Sequence, residues 1–172
     1  MKKEEKLKAL ESLIKLIKNQ EIKLITLEFD ANPNIRGVFG EIKGIRRNLE
    51  FELETISMGE GESKRKKEAI FSGKYIINFE DNLLKEDTEE TLIKTKLVYE
   101  LILFFNKSEL NKFLKDYKFS KIEDENLTEI IAMFFNHSGR LIIFPYVRHI
   151  IDMLMREAGI ITYPIKPLMF KK

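Results

Sequence analysis

The residues whose type and position best suit acid–base chemistry are two histidines. His137, flanked by Asn136 and Ser138, could act as a general base, although a polar helix terminus explains this group more simply. His149 lies within a charged predicted helix and is interpreted in the same way. Because the chain has no cysteine, a structural zinc site and thiolate chemistry are not expected. We therefore predict no catalytic residue, no metal site and no enzymatic activity.

Patterns that bind phosphate are also weak. The glycines from Gly37 to Gly44 fit neither the dinucleotide-binding nor the P-loop spacing, and no Gly-Lys-Ser or Gly-Lys-Thr occurs. The run Lys64–Lys67 could contact phosphates, but it lies in a predicted hairpin loop without nearby aromatic residues, so a solvated turn is the preferred interpretation. A net charge of +2 creates no overall field for nucleic acid or an anionic membrane. We predict no cofactor and no nucleic-acid partner.

A row of carboxylates is the most regular polar feature. Glu50, Glu52 and Glu54 alternate with the apolar residues of Leu49–Leu53, which predicts a half-buried strand with an acidic outer face. Together with Glu28, these carboxylates could form an acidic docking face. A solvated sheet face is an equally good interpretation.

Apolar side chains are abundant. Thirteen phenylalanines, five tyrosines and six methionines exceed what a core obviously needs, and Phe and Met adapt their packing to unrelated hydrophobic segments. The alternative is that they fill the core, because aromatic spacing alone does not separate a groove from an interior. No uncharged apolar run is long enough to span a membrane, and the lysine-rich and glutamate-rich N-terminus does not resemble a signal peptide. We expect a cytoplasmic protein without membrane insertion.

The elements follow from hydrophobic periodicity. Residues 2–19 form a predicted amphipathic helix that packs on its own domain or on a neighbouring subunit, since acidic residues share its polar face. Four strands come next, beginning with residues 22–30 and ending with residues 92–105. The end of the last strand, Leu101–Phe105, is apolar on both faces and must be covered.

Helices complete the chain. Ser108 is the predicted cap of one short helix, and Asn126 with Glu129 forms a capping-box-like start for the next. A longer amphipathic helix has Pro145 in its first turn and Gly159 just past its last. Because helices follow strands rather than alternating with them, we predict an α+β domain with an antiparallel sheet.

The long helix resembles that of the SecB family of export chaperones, which is announced by Phe-Pro-Tyr-x-Arg. In this chain the motif is formed by Phe144, Pro145, Tyr146 and Arg148. The family continues through a proline-containing crossover segment to a Pro-x-x-Phe, here Pro167–Phe170. The stretch Ile25–Pro33 is similar to the family's first strand. An unrelated domain with a proline-started core helix is the alternative, and two matches in the family's order favour the family.

The resemblance implies a four-stranded antiparallel sheet with the long C-terminal helix packed on one face. We expect a single SecB-like domain over residues 1–172: an added N-terminal helix (1–19), the sheet (22–105), helices (108–159) and a crossover-like segment (160–172). The N-terminal helix departs from bacterial members. The family assembles as a dimer through edge strands and as a dimer of dimers through helices, which implies a homo-oligomer here.

The resemblance also implies a function, that of an ATP-independent holdase for unfolded or precursor polypeptides in protein export or quality control. The alternatives are a toxin–antitoxin-associated chaperone with one dedicated partner and a non-chaperone oligomeric interaction module. A translocation component or an antitoxin is a further candidate partner. The chain stops at Lys172, before the family's C-terminal helix and metal-binding tail, which argues against coupling to a translocation motor. The implied client-binding residues are Phe71, Tyr75 and Phe79 on the sheet and Tyr163, Pro164, Ile165, Pro167 and Phe170 in the crossover.

Overall fold

The alternating and helical periodicities are realised as four strands and four helices in the computed structural model, which describes residues 1–32, 45–60, 68–85, 88–122 and 124–159. In chain order the elements are α1 (Lys3–Lys15), β1 (Ile17–Ala31), β2 (Ile45–Glu60), β3 (Glu68–Lys85), β4 (Thr88–Asn106), α2 (Lys107–Asp116), α3 (Glu125–Phe134), a π-helical turn (Phe135–Gly139) and α4 (Arg140–Glu157). The antiparallel sheet has the order β1-β4-β3-β2, so β1 and β2 are its edges. The predicted α+β fold is confirmed.

The described chain divides into two compact units, each with a segment of all four strands. The first unit comprises Met1–Lys23, Leu53–Lys74 and Glu100–Arg140. The second unit comprises Leu24–Glu52, Tyr75–Tyr99 and Leu141–Lys172. The first unit therefore contains α1, α2 and α3, whereas the second contains almost all of α4.

Aromatic rings fill the core of the first unit. The rings of Phe71 and Phe105 lie 4.7 Å apart between centroids, and Phe134 meets Phe135 edge to face at 5.4 Å. Phe135 lies against Gly73 so closely that a Cβ atom at Gly73 would come within 2.5 Å of its Cδ1 atom. Only a residue without a side chain fits there unless the ring moves.

The second unit contains an ion pair with a buried carboxylate and the packed face of helix α4. Arg47 donates from Nε and Nη2 to the two carboxylate oxygens of Asp81, both at 2.8 Å, and Asp81 is only 1% exposed. The same guanidinium lies 5.5 Å from the centroid of Phe79. Helix α4 buries Phe144, whose ring centroid is 6.3 Å from that of Phe51 on β2. The predicted packing of the long helix on the sheet is therefore present.

The helix starts differ from those predicted. Asn106 caps α2 by accepting a hydrogen bond from the backbone N–H of Ser108, and Asp124 caps α3 by accepting one from Asn126. The prediction of Ser108 and Asn126 as caps was wrong by two residues, because each lies where a preceding polar side chain satisfies its free amide. At the other end, α1 stops at Lys15 rather than Asn19, and the chain enters β1 at Ile17.

Pro145 lies inside α4, so its prediction as a first-turn residue was also wrong. The helix begins at Arg140, and the missing proline amide leaves the carbonyl of Leu141 without its usual partner. Both residues are exposed, which lets water satisfy that carbonyl. Gly159 has φ of +74°, as expected for a left-handed residue after the last turn.

The helical stretch Glu125–Glu157 is the one part of the described chain long and apolar enough to cross a membrane, by length and composition alone. Its most apolar window is 44% buried within the protein. Core helices of other proteins meet the same criterion, so this property carries no argument for a membrane span.

Candidate polypeptide-binding site

The three sheet residues predicted to contact clients are core residues in this structure. Phe71, Tyr75 and Phe79 recur at every fourth residue on one face of β3, and each is 0% exposed. Phe71 packs on Phe105, and Phe79 lies beneath the guanidinium of Arg47. A client could reach these rings only after whatever covers them has moved, so their role in binding stays a prediction.

The crossover residues lie outside the described part of the chain. They are Tyr163, Pro164, Ile165, Pro167 and Phe170. The basic run Lys64–Lys67 and the glycines from Gly37 to Gly44 also fall outside it. The predictions for all of them stand as made.

The four motif residues of α4 have different environments. Phe144 is buried against β2, whereas Pro145 and Tyr146 are exposed, Tyr146 by 52%. Arg148 donates toward Asp152 one turn later, with 3.6 Å between Nε and Oδ2. The motif therefore combines one packing residue with two residues on the open face of the helix.

The sheet order separates the predicted acidic residues. Glu50, Glu52 and Glu54 are exposed on β2, and Glu54 pairs with Lys74 across to β3 at 2.7 Å. Glu28 is exposed on β1, which is the opposite edge of the sheet. Three of the carboxylates are therefore on one strand, β2, and the fourth is on another. A docking role for the three on β2 stays a prediction.

Neither histidine is part of a reactive cluster. His137 and His149 are exposed, the first in the π-helical turn and the second on α4. Within the residues that the structure describes, no group of three or more His, Cys, Asp or Glu side chains could hold a metal ion.

Edge strand β1 carries an apolar surface that the sequence reasoning did not single out. Leu24, Ile25 and Leu27 are exposed, Ile25 by 53%. Successive residues of a strand point to opposite faces, so both faces of this edge are bare. The signal was visible in the uncharged run of residues 24–27, in which Leu24, Ile25 and Leu27 lack the alternation with charged residues that β2 shows.

A second surface of exposed side chains, the α4 stripe, runs along helix α4. Leu141, Pro145, His149 and Met153 recur every four residues, lie on one side of the helix and are all exposed, with Tyr146 beside them. Both surfaces belong to the second unit.

Comparison with solved structures gives the deciding observation on architecture. The protein is similar to a Mycobacterium tuberculosis SecB-like chaperone, Rv1957, solved in complex with a ChAD peptide from the Rv1956 HigA1 antitoxin. The TM-score is 0.63 at 12% sequence identity, and the match covers 96% of this chain and 99% of that one. The chain has a SecB-like fold. No protein-family profile matches the sequence, and no curated protein matches it.

Within this SecB-like fold, helix α1 covers the apolar end of β4. Leu13, Ile14 and Ile17 face a group of side chains that we call the α1 floor: Phe71, Leu103, Phe105, Ile131 and Phe134. The sequence required a cover for Leu101–Phe105, and α1 together with α3 provides it for Leu103 and Phe105. Phe71, a predicted client-binding residue, belongs to this floor.

A wider cleft of about 510 Å³ opens beside α1. It is lined by Met1, Glu5, Lys8, Asp116, Tyr117, Lys118, Phe119, Asp124 and Asn126. The backbone N–H of Ser120 donates to the Asp124 carboxylate and lowers its pKa, and the amide of Asn126 adds to this effect. Asp124 caps helix α3, and the hydrogen bonds of this cap account for its lowered pKa without a ligand.

Proposed function

We propose that the protein is an ATP-independent holdase that binds unfolded or precursor polypeptides in the cytoplasm. The observation that carries the proposal is its SecB-like fold, shared with a chaperone whose structure contains a bound antitoxin peptide. Stoichiometric binding lowers the free concentration of aggregation-prone chains by mass action and needs no nucleotide.

The exposed apolar residues support this proposal. Large bare side chains on β1 and α4 exceed the single scattered residues that ordinary surfaces carry. We assign the β1 edge and the α4 stripe to self-association as a dimer or tetramer, because an unpaired strand edge and an apolar helix stripe both bind further elements of the same kind. The crossover residues, with Tyr163 and Phe170 as anchors, would then contact clients.

A second candidate function is favoured by the neighbour's ligand. Rv1957 was solved with a segment of one antitoxin, so a single dedicated partner is a specific alternative to a broad client range. Promiscuity distinguishes the two: a general holdase binds many unfolded chains, whereas a dedicated chaperone saturates with one. A translocation component would be a partner of the general holdase rather than of the dedicated chaperone.

The test is suppression of aggregation. A chemically denatured model protein is diluted into buffer with the purified chain, without nucleotide, over a range of molar ratios, and light scattering is recorded. We expect suppression that saturates near stoichiometric ratios and weakens in a Tyr163→Ser/Phe170→Ser variant of unchanged circular dichroism. A folded oligomer that leaves scattering unchanged at every ratio would overturn the general holdase proposal.

A further inference from the structure

Helix α1 is seated on the α1 floor as a ligand would be. Its side chains Leu13 and Ile14 meet the floor, Leu10 is half-buried one turn earlier, and all five floor residues are almost fully buried beneath it. These apolar side chains follow the helical spacing of a segment that lies in a groove.

A charge accompanies the apolar contacts. Lys6, one turn before Leu10, forms an ion pair with Glu129 of α3 at the rim of the floor. The amino group of Met1 donates to Oδ1 of Asn126 at 3.3 Å, also on α3. Hydrogen bonding by Lys6, together with the positive charges of Lys6 and the N-terminus, lowers the pKa of Glu129. The rim therefore favours a basic residue at this position of the helix.

Helix α1 buries few of its own side chains, whereas the floor residues beneath it are almost fully buried. Only Ala9 and Leu13 of α1 are fully buried, and Leu7 and Ile14 remain substantially exposed. Its ties to Glu129 and Asn126 lie at exposed positions, where ion pairs contribute little. The Tyr117 hydroxyl adds two hydrogen bonds, one with the Ser12 hydroxyl at 2.8 Å and one to the backbone carbonyl of Lys8 at 3.2 Å. A helix of 13 residues is also marginal without tertiary packing. Leu16 alone separates α1 from β1, whose first residue, Ile17, also lines the floor, so release of α1 requires a change of backbone conformation at this junction.

We propose that the α1 floor is a polypeptide-binding site for amphipathic helical segments of unfolded chains, and that α1 is its built-in competitor. The preferred segment carries Leu or Ile at the spacing of Leu10, Leu13 and Ile14, with Lys or Arg one turn before the first. This assignment rests on the proposed holdase function and identifies one class of client segment. In the closed form α1 hides Phe71 and its neighbours from solvent; a client exposes them by displacing α1.

A covalent lock tests the competition. Since the chain has no cysteine, a Lys6→Cys/Glu129→Cys variant contains only two thiols, which a short bismaleimide can bridge. The same variant capped with N-ethylmaleimide is the matched open control. The probe is a peptide of residues 1–18 with a fluorophore at its C-terminal end, followed by anisotropy. We expect the locked protein to bind it at least about tenfold more weakly than the capped protein. Equal affinities would overturn the proposal.

Charge reversal provides a test that does not depend on cross-linking. Lys6→Glu repels Glu129 and loosens α1 but leaves Glu129 free for Lys6 of the peptide, so binding should tighten about twofold to fivefold. Glu129→Lys loosens α1 and repels the peptide alike, which leaves affinity near the wild-type value. The double variant restores the intramolecular pair and should bind most weakly. Lys3→Glu, at an exposed position of the same helix, is the control and should change nothing.

Simple destabilisation does not produce this order of affinities. A Lys6→Glu variant that binds the peptide no better than wild type would contradict the proposal even if every variant is folded. Aggregation suppression, measured in parallel, distinguishes failure of the α1-floor assignment from failure of the holdase proposal. If the wild type suppresses aggregation but the lock leaves peptide binding unchanged, only the assignment of the α1 floor fails. If no variant suppresses aggregation, the holdase proposal fails, and peptide binding still decides whether α1 competes for the floor.

Discussion

The two units treat their apolar surface differently. In the first unit, the exposed large apolar residues of the described chain are Met1, Leu7 and Ile14, all in the N-terminal segment, and α1 covers the α1 floor. In the second unit, the β1 edge and the α4 stripe remain bare. The chain thus covers one apolar surface with its own helix and leaves the apolar residues of the β1 edge and the α4 stripe exposed.

The largest expected effect lies in the second unit, where a charge is buried. Arg47→Met leaves the Asp81 carboxylate without its bidentate partner, and we expect a loss of about 3 kcal/mol in unfolding free energy. Urea denaturation followed by circular dichroism measures the change. The double variant Arg47→Met/Asp81→Leu should recover most of the loss, because it removes the isolated charge. A single variant as stable as wild type would show that the second unit does not depend on this pair.

The first unit should instead be most sensitive to steric change. Gly73→Ala places a methyl group against the ring of Phe135, so we expect a cost of about 2 kcal/mol in the same denaturation experiment. Gly59→Ala is the control, since no heavy atom lies within 4 Å of a Cβ atom there. Equal stabilities of the two variants would indicate that the Phe135 ring moves aside without loss.

The bare edge of the second unit should affect assembly rather than stability. Ile25→Lys introduces a charge into β1, and we expect a smaller mass by light scattering on size exclusion, with unfolding free energy within about 0.5 kcal/mol of wild type. Glu50→Gln, on the opposite edge strand, is the control because it changes the net charge by the same +1. An unchanged mass for Ile25→Lys would exclude the β1 edge as the subunit contact.

A smaller gain is expected in the first unit at the end of α2. Lys118 has φ of +58°, and the bonds from Phe119 N–H to Leu114 O and from Lys118 N–H to Lys115 O form a Schellman motif, in which glycine is usual. Lys118→Gly relieves the backbone strain and should stabilise by about 0.5 kcal/mol. Lys115→Gly, inside the helix, should destabilise by about 1 kcal/mol. Thermal unfolding of both variants checks the opposite signs.

The smallest effect concerns pH at the rim of the α1 floor. Lys6 lowers the pKa of Glu129 below its ordinary value of 4.5, so this carboxylate stabilises the folded state above that pH and loses its contribution as the pH falls through the folded pKa. The melting temperature of Glu129→Gln should therefore lie below that of wild type near neutral pH, and the two should converge in acid. A difference that persists in acid would assign the effect to shape rather than charge.

Local patterns predicted the elements of this fold well. The alternation in β2, the apolar end of β4 and the left-handed glycine at residue 159 all appear as expected. The starts of α2 and α3 were harder to predict from the sequence, because Asn106 and Asp124 cap these helices from two residues before the predicted caps. Pro145 was misplaced because a helix can hold an exposed proline when water reaches the freed carbonyl.

The candidate site was less predictable, because it depends on strand order and on what covers each strand. Glu28 and Glu50 have similar sequence patterns, yet the order β1-β4-β3-β2 places them on opposite edges. Phe71, Tyr75 and Phe79 lie on one face of β3 as groove residues would, but their burial depends on segments distant in sequence, such as α1 over Phe71. No local pattern shows that a helix near residue 10 lies over a ring at residue 71.

The composition of β1 also bears on the protein's own solubility. Its bare run, Leu24 to Leu27, is bounded by the exposed charges Lys23, Glu28 and Asp30. Uncharged apolar windows of about five to seven residues are those that stack into cross-β fibrils, and these charges keep the run below that length. Glu28 therefore acts as a gatekeeper. The flanking charges let β1 expose an apolar strand edge without favouring the stacking of copies of this protein.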